Sequence, residues 1–329
     1  MKARFLSCCS LLMLMMLLSV MSGARFYPLA QVAEALFHTD PARVADTIIR
    51  TSRLPRTCLA MGVGAFLAVA GGLMQALTRN PVASPGLFGV NAGAALAIVM
   101  ASSIFTLSII PWLTLLLAFF GASTVSMLVW FASRAGNGRH NPLRLVLAGV
   151  AITALCNAFT QAILIIDQET LDTMLFWLAG SLTGNDLPHI YAMLLPGTLL
   201  IVAACLFASQ MNVLSAGDEI ATGLGQNIVR VRLIASLLVV GLAGNAVALA
   251  GSIGFVGLMV PHIARQLFGS DLRLMVPACA LLGALLLLAA DIVARVIILP
   301  QEVPVGVMTA LMGAPFFIVL AQRRVNNVR

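Results

Sequence analysis

How little charge this chain carries over so long a sequence decides most of what it can fold into. Of its 329 residues only 9% are Asp, Glu, Lys or Arg, against 60% apolar residues. A soluble fold draws on roughly a quarter charged residues to cover its surface, and this chain has far too few. The apolar residues run continuously instead of alternating, which argues against a transmembrane β-barrel. A spanning helix takes about 20 apolar residues. The sequence therefore predicts an all-α polytopic membrane protein of about ten transmembrane helices, over residues 5–22, 56–77, 86–103, 109–132, 143–166, 187–208, 229–249, 251–267, 274–294 and 303–321. The eighth is short and glycine-rich, so irregular backbone buried by neighbouring helices is expected there. There is no linker and no second domain. The six cysteines lie in or beside apolar segments with no CxxC pair, and they read as packing residues.

The net charge of +7 could suggest a nucleic-acid partner, but in a membrane protein it fits basic cytoplasmic loops better. With a cytoplasmic N-terminus and ten crossings, Lys2, Arg4, Arg79, Arg134, Arg139, Arg144, Arg230, Arg232, Arg265, Arg273, Arg323, Arg324 and Arg329 fall inside. Only Arg25, Arg43, Arg50, Arg53, Arg56 and Arg295 fall outside. That asymmetry favours both termini in the cytoplasm. The basic start of the first segment and the small residues Ser22, Gly23 and Ala24 also fit a cleaved signal peptide, but the run is long enough to remain as a helix.

Three features could carry function. Residues 215–225 form a polar stretch between two apolar segments. Ser215 and Asp218 have capping-box spacing, Ala216, Gly217, Glu219 and Ala221 complete the turn, Ile220 and Leu224 share a helical face, and Gly223 or Gly225 can end the helix. A short helix held at the membrane surface could push on a partner; a plain solvated connector fits the spacing equally well. Next is an arginine group, with Arg53 and Arg56 where the second segment begins and Arg295 where the ninth ends, four residues after Asp291. It reads either as a set of exposed charges for an acidic partner or as interfacial snorkelling. Last are the polar residues at membrane depth, Gln75, Asn91, Asn157, Gln161 and Asn245, which can join helices or line a pathway. The histidines His38, His140, His189 and His262 are far apart, with no metal-ligand or catalytic grouping. The only lysine is Lys2, so the chain lacks the lysine a phosphate-binding P-loop requires; any ATP that drives its work is bound by another polypeptide.

Several long motifs then stand in one order: Arg53-Leu54-Pro55-Arg56, the run TRNPVASPGLFGVN at 78–91, Trp177-Leu178-Ala179-Gly180, GFVGLMVPHIAR at 254–265, ADIVAR at 290–295, and the stretch 299–315 with its Pro-Val-Gly and Gly-Ala-Pro. Together they resemble the FecCD-type permeases, the membrane subunits of bacterial ABC importers for iron-siderophores, haem and vitamin B12. The resemblance covers about residues 50–322. It implies a type II ABC importer permease in the inner membrane; residues 24–54 lie almost wholly before the resemblance begins, and their position suggests a periplasmic segment. It also implies dimerisation with an identical or different permease subunit, two cytoplasmic ATPase subunits carrying ATP and Mg, and a periplasmic substrate-binding protein. The permease itself would bind no cofactor and perform no catalysis. By the same resemblance residues 215–225 are the ATPase-coupling helices, and Arg53, Arg56 and Arg295 receive acidic residues of the binding protein. Asn91, His140 and Asn141 are gate candidates. A ferric siderophore is the expected cargo, with haem or vitamin B12 as alternatives. An ion-coupled secondary transporter is the rival class, although Asp291 is almost the only acid within a span.

Overall fold

The computed structural model describes residues 2–23, 25–37, 43–105, 111–134, 142–183, 187–299 and 301–326. Among them the regular structure is helical: α1 (Lys2–Met21), α2 (Leu29–Phe37), α3 (Val44–Ile48), α4 (Leu54–Thr78), α5 (Val90–Phe105), α6 (Pro111–Arg134), α7 (Pro142–Ile166), α8 (Gln168–Leu178), α9 (Leu187–Ala216), α10 (Asp218–Gly223), α11 (Ile228–Ala250), α12 (Val256–Phe268), α13 (Leu272–Val296) and α14 (Val305–Asn326). Each of the ten expected segments coincides with one of these helices. Seven spans are long and apolar enough to cross a membrane, in α1, α3–α4, α6, α7, α9, α11 and α13. The α5 and α14 spans are apolar but shorter, and α12 has only 13 residues. The chain is a multi-pass membrane protein.

Three helix starts, those of α8, α11 and α13, are set by short polar side chains that take up orphan backbone donors. Asp167 accepts from Thr170 N at 3.0 Å, Asn227 from Arg230 N at 3.1 Å, and Asp271 from Arg273 N at 3.0 Å. Ser84 has the right identity for such a cap, yet its side chain makes no cap hydrogen bond; it opens a 3₁₀ turn, Pro85–Phe88, before α5 begins. The expected irregular backbone lies at 251–255, ahead of α12. Gly251 and Ile253 are buried there, and Phe255 has φ +65°.

One helix organises the bundle. α4 is buried along most of its 25 residues and packs against α13, α11, α12 and α9. The contact with α13 is close because both helices present glycine. A Cβ at Gly64 would stand 2.2 Å from the Gly283 carbonyl oxygen, and the reverse placement gives the same 2.2 Å. Only glycine permits that approach, the small-residue packing that membrane helices use in place of a hydrophobic drive. At a rise of about 1.5 Å per residue, α4 is a rod of roughly 37 Å whose two ends carry the charged groups described next.

Candidate functional site

The N-terminal end of α4 meets the ends of α1 and α13 in a buried ionic cluster. Asp291, on α13, is fully buried. Its Oδ1 accepts from Arg56 Nε at 2.9 Å and its Oδ2 accepts from Arg295 Nη2, one helical turn along. Arg56 also pairs through Nη1 with Glu302, in the connector to α14. One carboxylate thus joins two guanidiniums, an arrangement that charge-assisted hydrogen bonds make strong and that low-dielectric surroundings make obligatory.

Other guanidinium donors reach the end of α1. A helix leaves its last four carbonyls without intrahelical partners, and the C-terminus carries partial negative charge. Arg295 Nη1 donates to Ser19 O at 3.0 Å, and Arg53 Nη1 donates to Val20 O at 2.9 Å and Met21 O at 2.8 Å. Arg53 also donates to Arg25 O and lies over the Tyr27 ring, 4.4 Å from its centroid. The hydroxyls complete the junction. Thr57 Oγ1 donates to Arg53 O at 2.9 Å, so the Ser19 hydroxyl, 2.8 Å away, donates to Thr57 and accepts from Arg295 Nη2 at 3.3 Å.

This changes the reading of the three arginines. The sequence left open exposed charges for a partner or interfacial snorkelling, but Arg53, Arg56 and Arg295 are 6%, 9% and 2% exposed. They cap α1 and neutralise Asp291. A recess of about 310 Å³ stays open beside them, lined by Arg25, Arg53, Arg56, Arg295 and Glu302 together with Tyr27 and Ser52. Its four cations exceed its glutamate and the adjoining Asp291, and Arg295 Nε–H has no hydrogen-bond partner. The recess therefore carries surplus positive charge, which suits an entering carboxylate.

The C-terminal end of α4 carries a second cluster. Arg79 ends α4 with φ +51°, a left-handed conformation uncommon for any residue but glycine. From there Arg79 Nη2 donates to Leu214 O at 2.7 Å, near the end of α9, and to Asp218 Oδ1 at 2.5 Å, the first residue of α10. Arg232, on α11, grips the same carboxylate from the other side at 3.0 and 2.8 Å. Burial acts to raise the Asp218 carboxyl, but the Arg79 hydrogen bond and the two guanidinium charges outweigh it and hold the group below its usual 3.8. A carboxyl with a lowered folded value contributes stability above its unfolded value and loses it as pH falls through the folded one. The contact is therefore fully formed near neutrality.

Asp218 is accordingly a clamp and not the capping-box partner its spacing with Ser215 suggested. α9 continues through Ala216, Ser215 Oγ donates back to Met211 O at 2.8 Å, and the residue before α10 is Gly217, at φ +136° with no side-chain cap. Glu219 follows Asp218 in the first turn. The other end of α10 closes as expected of glycine. Gly225, at φ +76°, donates to Thr222 O at 2.9 Å, and Gln226 N donates to Ala221 O at 2.9 Å, the paired bonds of a Schellman motif. Ala221 is buried, whereas Ile220 and Leu224 are 54% and 70% exposed. α10 thus holds an apolar face away from its own protein.

The gate candidates are less informative. Asn91, at the start of α5, is half-buried and donates through Nδ2 to Ser252 Oγ at 3.0 Å, which ties α5 to the bend before α12. His140 and Asn141 lie outside the described residues. Of the other polar residues at depth, Gln75 accepts from Arg265 at 3.0 Å and donates to Leu258 O at 3.3 Å, and Asn245 donates to Met193 O at 2.9 Å. These three bonds join helices. Asn157 and Gln161 are exposed on α7.

Comparisons with known proteins extend across both clusters. Residues 11–323 match the model of the FecCD transport family. The Fe(3+)-citrate import system permease protein YfmD of Bacillus subtilis is 42% identical over 309 residues, 94% of this chain and 91% of that protein. The ferric enterobactin transport system permease protein FepD of Escherichia coli is 42% identical over 318 residues, 96% and 94% of the two chains. A solved structure assigned to a metal-chelate type ABC transporter, in an inward-facing conformation, superposes with a TM-score of 0.86 at 28% identity, covering 98% of this chain and all of the other.

The capping geometry gives a direct expectation. Arg53→Met removes the donors to three carbonyls at and beyond the end of α1. At about 0.5–1.5 kcal/mol for each lost bond, the last turn of α1 should exchange its amide hydrogens at least about tenfold faster, read by hydrogen-exchange mass spectrometry. Unchanged protection would mean that Arg53 does not hold that end.

Proposed function

The chain belongs to the FecCD transport family, and from that membership we propose that it is the membrane-spanning permease subunit of an ATP-driven importer for a ferric siderophore or a similar iron chelate. The observation that carries this reading is likeness to iron-chelate permeases over nearly the whole length, a span that contains both charged clusters. The chain sits in the bacterial inner membrane with both termini in the cytoplasm, so that the Asp218 end of α4 faces the cytoplasm and the Arg56 end the periplasm. The basic residues favour this sidedness.

With Lys2 as its only lysine, the permease draws its energy from two separate ATPase subunits that bind ATP and Mg. Their contact is residues 215–225. Burying an aliphatic side chain contributes about 1.5–3 kcal/mol, and exposed Ile220 and Leu224 on a clamped helix are a suitable anchor pair. A second permease subunit, identical or different, covers the face of α7. Asn157 and Gln161 lie one helical turn apart there, and amides are poorly accommodated against lipid. The pathway runs between the two permeases, near α7, α14 and the start of α5.

At the periplasmic end the substrate-binding protein places an acidic side chain in the arginine recess. Since Arg56 already holds Glu302, the incoming carboxylate competes with it. Docking is then an exchange of acids around Arg53, Arg56 and Arg295, and not a meeting of free charges.

Proteoliposomes holding the chain, its ATPase and ATP should accumulate ferric enterobactin or ferric citrate when the binding protein is present, and the chain alone should not. Uptake abolished by dissipating the proton gradient but indifferent to ATP would overturn the importer reading, and uptake of haem alone would overturn the substrate class. The exchange at the recess has its own check. Glu302→Gln removes the competitor and should tighten binding-protein association by up to about fivefold, the scale of a partly exposed ion pair; weaker association, measured by titration, would contradict it.

A further inference from the structure

The cluster at the cytoplasmic end of α4 is more than a brace for a loop. α10 leaves α9 through Gly217 and returns to α11 through Gly225, both at positive φ. A six-residue helix between two glycine joints is held against α9 by buried Ala221 and by Gln226 Nε2, which donates to Gln210 O at 2.9 Å, and its tie to α4 depends on what grips its first residue. Asp218 supplies that grip, and the two arginines on it come from the longest-buried helix, α4, and from its packing neighbour, α11. Arg79 reaches further, to the Leu214 carbonyl, so one guanidinium fastens α4 to both sides of the Gly217 joint. The far end of α10 carries the exposed Leu224. A load applied there would reach α4 through the clamped start of the helix.

We propose that Asp218, held between Arg79 and Arg232, is the joint that passes movement of α10 to α4, which makes both arginines positioning residues for the coupling of ATP hydrolysis to transport. The same rod begins, 25 residues earlier, beside Arg53 and Arg56. α4 therefore connects the recess that receives the binding protein with the surface that meets the ATPase, and coupling along it runs in both directions, since binding linkage is reciprocal. This inference rests on the reading of residues 215–225 as the ATPase contact.

The test uses the reconstituted complex of permease, ATPase and binding protein, with Arg79→Gln, Arg79→Lys, Arg232→Gln and Leu224→Asp at matched expression. Three quantities are read: ATPase retained on purification, ATP hydrolysed, and ferric chelate taken up per ATP. Coupling energies between sites correspond to factors of about 5–150. Arg79→Gln should keep the ATPase and its hydrolysis but lower uptake per ATP at least about fivefold and blunt stimulation by the binding protein. Arg232→Gln should act in the same direction. Arg79→Lys, which keeps the charge on Asp218, should recover much of the loss. Wild-type uptake per ATP in Arg79→Gln overturns the proposal, as does loss of the ATPase from that variant, which would make the pair a part of the docking surface. Leu224→Asp separates the two levels: if it retains the ATPase and full uptake, the contact reading itself fails, whatever Arg79→Gln does.

Discussion

A single buried carboxylate makes one end of this bundle possible. Asp291 is fully enclosed, and so, nearly, are the two guanidiniums it joins. Removing any charge from water costs several kcal/mol, and breaking such a pair leaves an uncompensated ion. The cluster tolerates Arg56 and Arg295 at depth because Asp291 lies between them. Once placed, Arg295 and neighbouring Arg53 each donate to carbonyls that α1 cannot satisfy for itself. α1, α4, α13 and the connector to α14 thus converge through side-chain chemistry, at a place where apolar packing alone specifies little, since lipid is as apolar as the helices.

The same helix ends in a second ionic contact of a different kind. Asp218 and Arg79 have side chains 44% and 40% exposed, so their attraction is screened and contributes little to stability. Their value is directional. A buried cluster at one end fixes α4, and a half-exposed clamp at the other ties it to a small helix between glycine joints. Between them, the Gly64–Gly283 contact keeps the rod against α13. The molecule's one fully enclosed carboxylate among the described residues and the exposed apolar face of α10 thereby belong to one mechanical unit.

Much of this was legible in the chain. Low charge and continuous apolar runs located all ten segments, and the glycine-rich eighth marked the irregular backbone at 251–255. The end of α10 followed from Gly225. Other features were hidden for physical reasons. The spacing of Ser215 and Asp218 matched a capping box, but α9 did not stop at Ser215, because nothing in 211–216 terminates a helix and Gly217 alone does. Asp218 is paired with a residue 139 positions away, and Arg56 with one 235 positions away; no periodicity connects such residues. For the same reason the arginines looked like surface charges. Their burial is set by the end of α1, whose carbonyls become acceptors only once the helices are assembled. Asp291 four residues before Arg295 was visible as an (i, i+4) pair, and it was the one sequence signal that the group was internal.

The most direct measurement is a double-mutant cycle on Arg56 and Asp291, using Arg56→Ala, Asp291→Ala and the pair together, with unfolding free energies of the purified chain in detergent. If the carboxylate is what makes the buried guanidinium tolerable, the two losses overlap, and the coupling energy should reach about 2–3 kcal/mol, the upper part of the range for directly contacting residues. Additive losses, with a coupling energy near zero, would mean that the two charges stand independently and that the cluster does not hold this end of the bundle together.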